Sequence, residues 1–260
     1  MSDRPLFLRR SPGLIPGLLS VLALLALWAV AAELAENARR MPSPLAVALR
    51  VQALAVSGEL WFHAGMTLSR VAAAFGIAMV LGGVLGLWMG RSRAADHWLN
   101  PGLVILLNIP ALVVIVLCYI WIGLNETAAI LAVALNKIPL VTVMLREGAR
   151  ALRPDLDEMA RAFRMSPLAR LRHVILPQLA PHLAAAARAG ISLIWKIVLV
   201  VEFLGRSNGV GFKIHLLFSS FDVAGVLAWA LAFVAVMLAI DLSILRPWEA
   251  GANRWRHDEA

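Results

Sequence analysis

Long apolar runs separated by short polar segments dominate the chain. A helix needs about 20 mostly apolar residues to cross the hydrocarbon core of a bilayer. Six runs reach that length: Leu14–Ala32, Val71–Gly90, Gly102–Ile122, Thr127–Arg146, Leu183–Leu204 and Val223–Leu245. The pattern predicts an all-α, polytopic membrane protein with six transmembrane helices. The connections leave no room for a separate soluble domain, so residues 1–260 read as a single transmembrane domain. One polar segment, Glu147–His173, is longer than the rest. A shorter stretch, Leu45–Val56, is weakly amphipathic and is expected to lie on the outer interface.

Composition agrees with the pattern. The chain is 61% hydrophobic and 15% charged, against about 45–50% and about 25% for a soluble domain. Mean hydropathy is +0.80. These values exclude an ordinary soluble enzyme, and a disordered chain would need low hydrophobicity. The formal charge of +8 comes from 24 basic and 16 acidic residues. Its placement matters more than its size, because arginine and lysine collect on the cytoplasmic side of membrane proteins. Arginines gather in the N-terminal segment (Arg4, Arg9, Arg10), after the second run (Arg91, Arg93), along the long polar segment, and near the C-terminus (Arg246, Arg254, Arg256). Both termini are therefore expected in the cytoplasm, and the charge gives no reason to invoke nucleic acid. Arg9 and Arg10 followed by an apolar run, with Ala29-Val30-Ala31 after it, have the look of a signal peptide. The run is longer than the usual signal core of about 7–15 residues, so it is expected to be retained. The lone Cys118 allows no internal disulfide, and no metal site is expected.

The segment after the fourth run holds two candidate short helices. Asp155 can cap the first, with Glu158 three residues on in a capping-box-like pattern. Leu156, Met159, Ala160 and Phe163 then share one face. Ser166 and Pro167 supply a second N-cap and first position, starting a helix that runs towards Val174. Pro177 and Pro181 punctuate the start of the fifth run. Two readings follow. The helices lie on anionic lipid, held by Arg161, Arg164, Arg170 and Arg172, or they form a docking surface for a soluble partner.

The residues Glu158-Met159-Ala160, then Arg164, Val174, Leu176 and Pro177, resemble the EAA loop of ABC-importer permeases in order and spacing. Met159 replaces an alanine of that motif and Arg164 its glycine. A residue other than glycine disfavours the positive φ of a tight turn. Elsewhere, Pro42-Ser43-Pro44, Gly58-Glu59-Leu60, His63, Leu68 and Arg70 are similar to the nitrate/sulfonate/taurine-type members. So are Ile109-Pro110-Ala111, Trp121-Ile122-Gly123 with Glu126, and Trp195 to Glu202 followed by Gly205 and Gly209-Val210-Gly211.

The resemblance implies a type I importer permease with a five-helix core over about 63–245. Residues 147–177 would be its coupling segment, and Asp155, Glu158, Met159, Ala160, Phe163, Arg164, Ser166 and Pro177 would face the ATPase. It implies two such permeases pairing in a bacterial inner membrane, two cytoplasmic ATP-binding subunits, and a periplasmic or lipid-anchored binding protein. ATP and magnesium would be held by the partner ATPase. This chain has no G-x-x-x-x-G-K-[ST] phosphate loop and is expected to bind no cofactor.

Charged groups at mid-bilayer cost at least about 2.5–3.5 kcal/mol, so each needs a partner, a wet cavity or a route to the interface. Arg188, Ser192, Trp195, Lys196 and Glu202 in the fifth run fall within an arc of about 120° on an ideal helix. That face either lines a translocation path for an anion or holds charges that lock the bundle. Lys137, between Asn136 and Pro139, and Asn108, before Pro110, are further path or kink candidates. Gly82, Gly86 and Gly90 form a stripe suited to close helix packing. His63 and His215 are isolated and read as interfacial. A stand-alone secondary transporter and a membrane anchor that docks a cytoplasmic partner remain as alternative functions.

Overall fold

The structure, a computed structural model, describes residues 14–245 and Pro247. Arg4, Arg9, Arg10, Arg246, Arg254 and Arg256 lie outside the described residues. In chain order the helices are α1 (Leu14–Leu34), α2 (Pro44–Val56), α3 (Glu59–Arg91), α4 (Arg93–Asn108), α5 (Ala111–Ile122), α6 (Glu126–Arg150), α7 (Pro154–Ala162), α8 (Pro167–Arg170), α9 (Leu176–Gly205), α10 (Val210–Ser219) and α11 (Val223–Ile240). Two π-turns, Leu171–Ile175 and Asp241–Leu245, follow α8 and α11. Among the described residues, five helical runs are long and apolar enough to span a membrane, and the count is six if α4 and α5 together make one span.

The third apolar run is where the observed architecture departs from six straight helices. The chain breaks at Ile109-Pro110, and α4 and α5 meet at 97°. Pro110 has no N–H and drives the residue before it out of the helical region, to φ −71° and ψ 125° at Ile109. Asn108 ends α4 and donates through Nδ2 to the Val104 carbonyl, 2.8 Å away. At 12 residues, α5 is about 18 Å long, well short of the hydrocarbon thickness of about 30 Å.

Helices α3, α6 and α9 form the centre. The glycine stripe of α3 lies against α6 at near backbone contact. A Cβ added at Gly86 would stand 2.6 Å from the Thr142 carbonyl oxygen, and one at Gly90 2.7 Å from that of Arg146. Only glycine permits this approach. Around it, Val71, Ala74, Ile115, Ala132, Ile194 and Val198 make a buried hydrophobic core. By contrast, α1 has none of its apolar window buried. It is tied on by the Trp28 indole N–H, which donates to the Pro42 carbonyl at 3.1 Å. The Leu45–Val56 stretch is α2, started by Ser43 Oγ accepting from the Ala46 N–H at 3.2 Å. It buries Val47. Beyond the fifth run, α10 replaces what the sequence pattern reads as a loop. Its 10 residues are too few to register as a span.

The polar segment forms its two short helices with different caps from those expected. The N-cap of α7 is Arg153, not Asp155. Pro154 takes the first helical position, which suits its fixed φ and missing N–H, and this pushes Asp155 inside the helix. The capping box does not form, and the Arg153 N–H donates instead to Gln178 Oε1 at 3.0 Å. Ser166 does cap α8, accepting from the Ala169 N–H at 3.3 Å. Pro177 and Pro181 do not interrupt the chain, which continues helically from Pro167 to Gly205. The π-turn at Leu171–Ile175 widens the helix where the Pro177 ring would crowd the His173 carbonyl.

Between α7 and α8 the chain turns through Arg164 at φ +50°. The Met165 N–H bonds the Ala160 carbonyl at 3.0 Å and the Arg164 N–H bonds that of Arg161 at 2.9 Å. This is a Schellman C-cap with arginine in the left-handed position that glycine normally fills.

Candidate functional site

Three regions concentrate polar chemistry. At the end of the molecule that carries α7, Asp157 is the centre. Its carboxylate accepts from Arg91 at 3.1 Å, Arg161 at 2.9 Å and Arg170 Nε at 2.7 Å. It thereby fastens α7 to α8 and to the end of α3. These guanidinium groups, Arg170 foremost, hold its pKa well below the usual carboxylate range. Arg153 likewise lowers Asp155 across a 2.6 Å pair.

With Asp157 holding the base, the other side of α7 faces outward. Glu158, Met159, Phe163 and Arg164 are exposed, as are Ser166 and Pro177, while Ala160 is buried. Phe163 is 77% exposed and Leu168, on α8, 74%. Sequence reasoning missed Asp157 and Leu168. The signal for Asp157 was an acid placed among arginines at helical spacing.

At the opposite end, Arg70 sits in a closed network. It donates from Nε to Glu126 and from Nη1 to Glu202, each at 2.6 Å, and from Nη1 to the Asn208 carbonyl at 2.9 Å. The other oxygen of Glu202 accepts from Thr67 Oγ1 and from the Gly211 N–H, both at 2.9 Å. Arg206 pairs with Glu126 at 2.6 Å. The backbone after α9 is drawn in by the Gly209 N–H donating to His63 Nδ1 at 3.0 Å and the Val210 N–H to Thr67 Oγ1 at 2.9 Å. At Gly209 φ is +108° and a Cβ would overlap the Glu202 carboxylate, so the close approach requires glycine. His63 is therefore a buried acceptor rather than an interfacial residue. Arg70 is 1% exposed.

The third region is an open groove of about 680 Å³ between α9 and α11. Arg188, Ser192, Trp195 and Lys196 line it from α9, Phe233 and Met237 from α11, and the acidic Asp241 from just past α11. The Trp195 ring lies edge-on to Phe233, with centroids 6.3 Å apart. Of the path candidates, the groove brings together Ser192, Trp195 and Lys196. Glu202 lies at the edge of the same helical arc but turns into the bundle, to Arg70. Lys137 is buried, and Asn108 lies at the end of α4.

Residues 78–246 match the model of the binding-protein-dependent transport system inner membrane component family. The chain belongs to this family. It is 30% identical over 250 residues to a putative aliphatic sulfonates transport permease protein of Bacillus subtilis, covering 96% of this chain and 90% of that one. It is 27% identical over 252 residues to the taurine transport system permease protein of Escherichia coli, covering 93% and 91%. Among solved structures it resembles an inward-facing MetNI methionine ABC transporter, with TM-score 0.60, 18% identity, and 70% and 92% coverage. It also resembles an amino acid ABC transporter, with TM-score 0.60, 20% identity, and 76% and 96% coverage. The fold is thus that of a type I ABC importer permease, and the chain is a transport component rather than an enzyme. Membership in a binding-protein-dependent family sets aside the stand-alone secondary transporter.

Proposed function

We propose that this permease passes a small organic anion along the α9–α11 groove and takes its driving motion from an ATPase docked on α7 and α8. The observation that carries the anion is Lys196. It is exposed on the subunit surface, within a span, beside Arg188 and Ser192. A cation facing lipid at that depth would cost at least about 2.5–3.5 kcal/mol, so the face belongs in a wet path. The apolar wall from α11 suits an anion with a short apolar tail, and the sulfonate and taurine names of the relatives point the same way. On this reading the groove faces a second copy of the chain, a binding protein delivers the solute, and two ATP-binding subunits hold ATP and magnesium.

The docking surface is supported by its exposure. Phe163 and Leu168 stand out from a base fixed by Asp157, and Glu158 on α7 is exposed as well. Arginines crowd this end of the molecule, which supports a cytoplasmic position for it and for both termini.

The test is uptake of radiolabelled ethanesulfonate into vesicles that hold the full complex. Glu158→Ala is expected to leave the assembly intact and separate ATP hydrolysis from uptake. Lys196→Met is expected to lower uptake about tenfold, or about 1.4 kcal/mol. Parental uptake in Glu158→Ala refutes the coupling role, and parental uptake in Lys196→Met refutes the groove as the anion path.

A further inference from the structure

Lys137 has no evident reason to be where it is. It lies midway along α6 and is 2% exposed. Among the described residues, no hydrogen bond or ion pair engages its ammonium group. The stem passes between α3 and α9. A Cβ built on Gly190 would stand 3.8 Å from Lys137 Cε and 3.7 Å from the Phe75 ring.

Every carboxylate on the helices packed around it is already engaged. Glu126 and Glu202 hold Arg70 and Arg206, and Glu147 holds Arg146 and Arg150. Glu59 pairs with Lys213. The other charged residues of α9 within the bilayer are Arg188 and Lys196, which are cations on its groove side. A neutral side chain of this length would fill the same space without the cost of burying a charge. An unpaired intramembrane charge that the resting fold does not use is accounted for by a ligand that arrives from outside.

Two local features allow that arrival. Pro139, two residues on, removes a backbone donor from α6 and weakens the helix there. Gly190 presents no side chain on the facing surface of α9, so a small displacement of α9 opens the Lys137 ammonium without dislodging a side chain. Gly190 lies between Arg188 and Lys196 in sequence, about 3 Å and about 9 Å along the axis from them. Lys137 thus stands at the depth of the cationic row, on the other side of the same helix.

We propose that Lys137 is a second anion-binding station of the transport path, sealed between α3, α6 and α9 in this conformation and exposed to the passing anion when α9 moves away from α6. The proposal rests on the anion-importer reading above. It adds an alternating element to that reading: the groove station is open where the buried station is closed.

The test uses the reconstituted complex in a Cys118→Ala background, with radiolabelled ethanesulfonate as the probe. Lys137→Met is expected to keep or raise the thermal midpoint, since an apolar isostere replaces an unpaired charge. It should nonetheless lower uptake about tenfold. Lys137→Cys should be equally slow and should recover on treatment with an aminoethyl thiosulfonate, which rebuilds a cationic side chain, but not with the uncharged methyl reagent. Reaction of that cysteine should also be faster while ATP is being turned over than at rest.

Parental uptake in Lys137→Met overturns the station. So does equal recovery with the methyl reagent, which would make the residue a space-filler. If the parent complex itself fails to carry ethanesulfonate while hydrolysing ATP, the anion reading of the groove falls first and this proposal with it.

Discussion

The two ends of the molecule handle charge in opposite ways. Around Arg70, two arginines and two glutamates close on one another, and the central pair is buried, Arg70 at 1% and Glu202 at 0% exposure. Backbone N–H groups of Gly209, Val210 and Gly211 complete the network. Around Asp157, one carboxylate gathers three arginines at the edge of solvent, with Arg161 left 68% exposed. Buried ion pairs cost several kcal/mol to desolvate and hold a single geometry once made, whereas exposed pairs contribute little and can rearrange. The Arg70 end is therefore a clamp on α3, α6, α9 and α10. The Asp157 end is an adjustable joint, suited to a segment that must move with a partner.

Three changes test this contrast, taken from the largest effect to the smallest. Arg70→Met leaves Glu202 and Glu126 without their main partner and is expected to cost about 3–5 kcal/mol, read as a lowered thermal midpoint in detergent. If the loss is below about 1 kcal/mol, the clamp is no stronger than the joint.

Asp157→Asn is expected to cost about 1 kcal/mol after solvent screening, read as faster proteolysis of the α7–α8 segment. Because pairing with arginine lowers the Asp157 pKa, its contribution is present above the usual carboxylate range and is lost as pH falls below about 4. Added salt should imitate the substitution at this end only.

Arg164→Gly is expected to stabilise the α7–α8 turn by up to about 1 kcal/mol, because glycine carries no penalty at φ +50°. A rise in midpoint accompanied by weaker ATPase binding would assign the arginine to the interface.

Much of this architecture was legible in local pattern. The apolar runs located the spans, because crossing a bilayer requires length and continuity that a sequence displays directly. The glycine stripe announced the α3–α6 contact. Ser166-Pro167 marked the start of α8, and the motif around Glu158 located the exposed face of α7. Local reading failed where two signals competed for one position. Pro154 displaced Asp155 from the cap, whereas the kink marked by Asn108 and Pro110 does form, as a break that leaves two helices at 97°.

The sequence by itself determined where the apolar runs lie, where the polar segment between them falls, and which residue types are costly enough to need a partner. Tertiary structure alone decided who the partners are. Arg70 and Glu202 stand 132 residues apart, and helical spacing alone placed Glu202 on the same face as Lys196. Helical period fixes a side chain's direction relative to its own axis, but not which neighbour occupies that direction. The packing of α3 against α9 turned Glu202 inward to a buried arginine and left Lys196 facing the open groove.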